Sequence, residues 1–366
     1  MKIGIVSKFG AADGLCVRAD SVIKGLVNRG HEVHALTHSK VVDGLPEDQV
    51  HRFRAIWLNK HYSIDSLSSP GAIARICRRI GIDVLHVQMN SGTSEMFLPF
   101  YNRVLPPTVV TFHLAYAAGR SFYTSIFAIA WRGSLYAARK YGEIILVDPA
   151  QKRYFLEYDF PEDKLTVIRN GVDTELFSPL SKKEDDGVID FVYVGRLSYD
   201  KGVNILLDAF CQYHHENPDS RLTLIGDGML KGQIEDTVDD DSITWIGNIK
   251  HDRIPEILKR MDAFVIPQNI GGLGLSVMEA MSCGLPVITT AIGETVRLLA
   301  KNEGILVKPH SVPDVVDAMR VLGDNKRLRL AMGRKCRKKV EDQYSWKTQI
   351  HQIEQVYDRA IANKKR

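Results

Sequence analysis

Phe191-Val-Tyr-Val-Gly-Arg-Leu-Ser-Tyr-Asp-Lys-Gly202 decides the fold. An apolar strand ends at Gly195, a turn carries Arg196 and Lys201, and Gly202 admits the chain to a helix. A diphosphate requires that order: a guanidinium forks onto phosphate oxygens, an ammonium adds a mobile point charge, and unpaired N–H groups at a helix start face the anion. A second glycine-rich crossing follows at Gly271-Gly-Leu-Gly-Leu-Ser-Val-Met-Glu279. Gly271, Gly272, Leu273 and Gly274 permit close backbone approach, and a helix starting near Leu275 would aim N–H groups at the same ligand. Glu279 sits among apolar flanks and needs a partner, of which two vicinal ribose hydroxyls are one kind. The two turns together predict a site for a nucleotide carrying an activated group.

Outward from this stretch, strands are expected at 221–225, 243–246, 263–266, 286–289 and 305–307, with helices at 203–216, 230–237, 253–260, 276–283, 294–301 and 312–322. The N-terminal half repeats the pattern, with strands at 3–7, 32–37, 54–58, 84–87, 108–112, 143–147 and 165–168. Short, nearly unbroken apolar strands alternating with helices are the signature of parallel sheets covered on both faces. The stretch 178–187 has almost nothing to bury and reads as a linker. The expected fold is therefore α/β, with two doubly wound Rossmann-like domains at 1–177 and 188–345, and an amphipathic helix at 346–363 returning to the first. Ligands of such folds bind outside the carboxyl ends of the strands, so a common crevice is expected.

At 366 residues and 45% hydrophobic, the chain can bury two ordinary cores. Its net charge of +4 lies wholly in residues 1–175, which suits an anionic acceptor, an anionic membrane surface or ordinary solubility. No nucleic-acid partner is expected. Five singly scattered cysteines point to reduced thiols in the cytoplasm. Residues 1–7 read as a first strand rather than a signal peptide, and no uncharged run is long enough to span a membrane. The apolar stretch 121–131, followed by Arg132, Arg139 and Lys140, fits a buried helix or an interfacial one at the inner membrane face.

In the first half, Asp13-Gly14 lies in the loop after strand one, with Gly14 at the closest approach to a ligand. The GxGxxG fingerprint is missing, which argues against a nicotinamide cofactor. His113 ends a strand, where an imidazole can donate to a bound hydroxyl or phosphate or cap local backbone. His86 and Gln88 leave the adjacent strand in the same direction and are expected in the acceptor pocket. No zinc spacing occurs, and neither a metal nor a cofactor is expected.

These segments, with Gly30-His-Glu-Val33, Val167-Ile-Arg-Asn-Gly-Val-Asp173, Leu224-Ile-Gly-Asp-Gly228 and Gly284-Leu-Pro-Val287, resemble over nearly the whole chain the retaining GT-B-fold glycosyltransferases of family 4. The resemblance implies a UDP- or GDP-sugar donor and an acceptor glycan, lipid or small molecule. It further implies that Arg196 and Lys201 bind the diphosphate and stabilise the departing nucleotide, that Glu279 holds the ribose, and that His113 lies near the transferred sugar. Two departures stand out: Gly271 occupies the place of a family glutamate that contacts the donor sugar, and Asp13 that of a glycine. Alternatives of the same fold are a non-catalytic nucleotide-sugar-binding protein and a nucleotide-sugar epimerase or hydrolase. Acceptor choice is expected in the loops 59–70 and 114–130.

Overall fold

The unbroken apolar runs become the central strands of two all-parallel sheets. The computed structural model describes residues 1–9, 14–57, 63–66, 68–89, 93–113, 132–181, 186–237, 242–270, 274–300 and 302–364. The expectations for 121–131 and for most of the two acceptor loops, as well as Asp13, Gly271, Gly272 and Leu273, lie outside them. The chain divides into two compact units, Met1–Gly171 with Trp346–Arg366, and Val172–Ser345.

The first unit holds β1 (Lys2–Val6), β2 (Glu32–Thr37), β3 (Val50–Arg52), β6 (Val84–Met89), β7 (Thr108–Phe112), β8 (Glu143–Leu146) and β9 (Leu165–Val167) in the order β3-β2-β1-β6-β7-β8-β9. Residues on β1, β6, β7 and β8 are buried on both faces, which is why these segments read as continuous apolar runs. One strand expectation fails. Of the strand expected at 54–58, the described part does not enter the sheet: β4 (Ala55–Trp57) pairs antiparallel with β5 (Ser63–Asp65) as a separate ribbon. The edge position belongs to β3, whose three residues Val-His-Arg are too few and too polar to register as an apolar strand.

The helix Trp346–Lys364 belongs to this unit and buries Ile350, Ile353, Val356, Tyr357 and Ala360. Gly25 permits the approach, because a Cβ there would collide with Ile350. The second unit orders β12 (Ile243–Gly247), β11 (Ser220–Ile225), β10 (Ile189–Val194), β13 (Ala263–Ile266), β14 (Val287–Thr290) and β15 (Gly304–Val307) side by side. Among the helices that escaped the sequence reading are Ser69–Ile80 and Lys326–Gln343. The latter is dominated by cations and hides its apolar signal in Met332, Cys336 and Val340, spaced four apart.

In both sheets the strand order reverses beside the first strand, between β1 and β6 and between β10 and β13. Loops leaving the carboxyl ends there splay apart and leave room for a ligand. Among the described residues, no helix is long and apolar enough to cross a membrane.

Candidate functional site

The reversal in the second unit falls between the two glycine-rich crossings. After β10, Gly195 turns the chain and the segment Tyr199–Lys201 makes one tight turn. Gly202 adopts φ 71°, and a Cβ there would strike the carbonyl oxygen of Pro267, in the loop after β13. The two loops are stitched together. Asn269 and Ile270 donate their N–H groups to the Asp200 carbonyl at 2.8 and 3.3 Å, and Asn269 Nδ2 donates to the Tyr199 carbonyl at 3.0 Å.

The Arg196 side chain is 65% exposed and donates Nη2 to Asp200 Oδ2 at 2.9 Å. Lys201 donates to Gln268 Oε1 at 3.3 Å. Burial holds the Lys201 ammonium below the ordinary lysine range, with Arg196 adding to the effect and Asp200 opposing it. Burial alone would raise the Asp200 carboxyl; the Ser198 hydrogen bond and the charges of Arg196 and Lys201 outweigh it and hold the carboxyl low. Both cations therefore act on one carboxylate, and a group richer in negative charge could take its place. Asp200 and Gln268 gave no separate signal in the sequence, since one reads as a turn residue and the other as the end of a strand.

Gly226 and Gly228 are more than a turn. Cβ atoms at these positions would strike the carbonyls of Gly195 and Leu197, so their bareness lets the loop after β11 press against the Arg196 turn. Leu197 N–H donates to the Asp227 carbonyl at 3.0 Å, and Gly226 N–H to the Gly247 carbonyl at 2.9 Å.

Gly274 precedes the helix Leu275–Ser282, which has no side-chain cap, so its first N–H groups remain available to a ligand. On this helix Glu279 is 5% exposed. It has a partner that the sequence did not reveal: His251 Nε2 lies 2.7 Å from Glu279 Oε1. That hydrogen bond raises the His251 imidazole above its usual range, against the opposing effect of burial. Glu279 Oε2 is thus the oxygen left for a ligand.

In the first unit Gly14 opens the helix Gly14–Asn28 and His113 follows β7 directly. His113 Nε2 meets Gln88 Oε1 at 2.6 Å. Contrary to the sequence expectation, His86 and Gln88 do not line an acceptor pocket. They are 0% and 1% exposed and lie behind His113, with no surface to offer a ligand. Strand alternation misled the reading, because β6 is covered on both faces. Among the described residues no group of three or more metal-ligating side chains gathers.

Residues 12–176 match the family model described as Glycosyltransferase Family 4, and residues 174–339 match Glycosyl transferases group 1. The glycogen synthase of Mycobacterium tuberculosis is 27% identical over 199 residues, covering 53% of this chain and 48% of that protein. The Escherichia coli UDP-Gal:alpha-D-GlcNAc-diphosphoundecaprenol alpha-1,3-galactosyltransferase is 31% identical over 223 residues, covering 55% and 56%. The matched segments span about half the length of these curated relatives. Among solved structures, Anabaena HepE in complex with UDP superposes with a TM-score of 0.78 at 17% identity, covering 98% of this chain and all of that one, a likeness of fold.

Proposed function

This chain belongs to the glycosyltransferases of group 1 and family 4, and from that premise we propose that it moves a sugar from a UDP-sugar donor to an acceptor hydroxyl with retention at the anomeric carbon. One observation carries the reading: Arg196 and Lys201 act on a single carboxylate, in a loop stitched to Asn269 and Ile270 after β13 at the reversal of the sheet. A nucleotide diphosphate would displace Asp200 from Arg196 and take the exposed face of the guanidinium. The first N–H groups after Gly274 would add to the grip, and Glu279 Oε2 would accept from a ribose hydroxyl. Gly14, Gly271, Gly272 and Leu273 would supply backbone contacts, with Leu275 at the helix start. His113 would contact the transferred sugar.

The bond from the anomeric carbon to the diphosphate breaks, the acceptor oxygen bonds to that carbon on the same face, and its proton passes to an oxygen of the leaving diphosphate. Arg196 and Lys201 lower the barrier by stabilising the charge that develops there. The route needs neither a metal nor a pair of catalytic carboxylates. UDP is favoured over GDP by the solved UDP complex of a protein of this fold and by the UDP-Gal named for the Escherichia coli relative.

The proposed setting is the cytoplasm, with contact at the inner membrane face. An exposed aromatic patch supports that contact: Phe100 and Tyr136 are 63% and 62% exposed, and the Lys140 ammonium lies 4.6 and 5.0 Å from their ring centres. Such interleaving suits an anionic lipid surface. The acceptor is then a lipid, a glycan or a small molecule presented there.

The test is release of nucleotide from a panel of UDP- and GDP-sugars, with and without candidate acceptors. Acceptor-dependent release of UDP supports the proposal. Tight binding without turnover would favour a binding protein, a reading to which Gly271 in the place of the family glutamate gives weight. Donor conversion without acceptor would indicate an epimerase or hydrolase.

A further inference from the structure

Behind His113 the first unit contains a line of buried hydrogen bonds that ends on the C-terminal helix. Tyr357 Oη lies 2.7 Å from His86 Nδ1. His86 Nε2 lies 2.7 Å from Thr111 Oγ1 and 3.3 Å from Gln88 Nε2. Gln88 Oε1 lies 2.6 Å from His113 Nε2. His86, Gln88, Thr111 and Tyr357 are each at most 1% exposed, so water does not compete for these contacts.

The distances give the direction of each bond. A separation of 2.6 Å suits N–H···O and is too short for N–H···N, which assigns the Gln88 oxygen to His113 and its amide nitrogen to His86. Because that oxygen only accepts, His113 Nε2 carries a proton. His86 Nε2 receives from Thr111 and Gln88, so the proton of His86 sits on Nδ1 and is donated to Tyr357.

The charge surrounding the line keeps it neutral. Arg18, on the helix Gly14–Asn28, is wholly buried, donates to Asn170 Oδ1 at 2.7 Å and lies over the Trp346 ring. Its Nε and Nη2 have no hydrogen-bond partner, and no carboxylate is paired with it among the described residues. Among the described residues, Arg18 on this helix, His86 on β6 and Tyr357 on the C-terminal helix are the titratable groups facing the relay, and Glu354 acts on Tyr357 from the same helix. Burial first and the Arg18 charge second push the His86 imidazole down to about 3. The same causes, with His86 added, hold His113 well below the usual histidine range.

We infer that Gln88, His86 and Tyr357 are positioning residues that hold His113 as the neutral Nε2–H tautomer, leaving its bare Nδ1 to accept a hydrogen bond from a ligand. Nδ1 meets no partner among the described residues, and His113 keeps part of its surface open. The ligand group must bring its own hydrogen, as a sugar hydroxyl or amide N–H does and an ionised phosphate oxygen does not. Naming the transferred sugar as that ligand rests on the transferase reading; the tautomer itself does not.

Long-range 15N–1H correlation spectra of histidine-labelled protein read the tautomer directly, with His113→Ala assigning the resonance. At pH 7 the parent is expected to show a neutral ring protonated on Nε2. In Gln88→Glu a carboxylate would face the same N–H and stabilise the imidazolium. The ring should then be doubly protonated near neutral pH, and kcat/KM should rise at least tenfold as pH is raised through its titration, where the parent shows no such step. Tyr357→Phe removes the acceptor of His86 Nδ1–H and should let a second His113 tautomer appear. A parent ring charged or protonated on Nδ1, or a tautomer unmoved by either substitution, would overturn the inference. An Nε2–H ring in a protein that transfers no sugar would uphold the relay and refute the transferase reading.

Discussion

Asp200 occupies, in the free protein, the place proposed for the donor diphosphate. It pairs with Arg196 across 2.9 Å, and its charge is felt by Lys201 as well. An incoming diphosphate must outcompete one carboxylate, which it does by carrying more charge and more acceptor oxygens. Removing the competitor while keeping the side-chain shape should favour the nucleotide. Asp200→Asn is expected to tighten UDP binding a few-fold, roughly the 0–1 kcal/mol of an exposed ion pair, and calorimetry would register the change. Unchanged or weaker binding would show that Asp200 orders the loop rather than competing for the site. The sequence marked Arg196, Lys201 and Glu279 through their types and positions. It did not mark Asp200, Gln268 or His251, because a partner brought together by folding leaves no local pattern.

Gly202 shows how two elements are held at one place. Its φ of 71° is open to glycine and strained for other residues, and the Pro267 carbonyl fills the space where a side chain would begin. Gly202→Ala is expected to destabilise the second unit by about 1–3 kcal/mol, within the usual cost of a special-backbone substitution. It should also raise the KM for donor, because the Tyr199–Lys201 turn shifts with it. A lowered urea midpoint accompanied by a raised KM would confirm both effects, and an unchanged midpoint would refute the packing argument. The central strands and most helices were legible because burial on both faces writes continuous apolar runs. β3 was not, being three residues of mixed polarity, and 54–58 misled because an apolar stretch does not reveal whether it joins a parallel sheet or a local ribbon. The helix Lys326–Gln343 lay hidden because cations outnumber its buried positions.

At the scale of the whole molecule, the buried imidazoles give the two units opposite responses to pH. His86 holds a folded-state pKa of about 3 against an ordinary 6.5, so between these values the unfolded chain binds a proton that the folded chain refuses. The stability of the first unit therefore falls as pH drops from 6.5 toward 3, by up to about 1.4 kcal/mol per pH unit for this group, with His113 acting in the same direction. His251 is raised by Glu279; its contribution to the second unit is complete below the ordinary histidine value and fades as pH rises through the raised one. Hydrogen exchange between pH 4 and 8 should show protection in β6 and β7 growing with pH and protection around Leu275–Ser282 declining at the upper end. Parallel trends in the two units would contradict these assignments.

The proposed transfer depends on Arg196 and Lys201 stabilising a departing nucleotide diphosphate. It is tested most directly by the rate of acceptor-dependent UDP release from a UDP-sugar, compared between the parent chain and Arg196→Ala under saturating donor. A loss of about 10²–10³-fold in kcat is predicted, the size expected when one preorganised contact to developing charge is removed. A variant that turns over at the parent rate would contradict the account, because the charge on the leaving group would then be stabilised elsewhere.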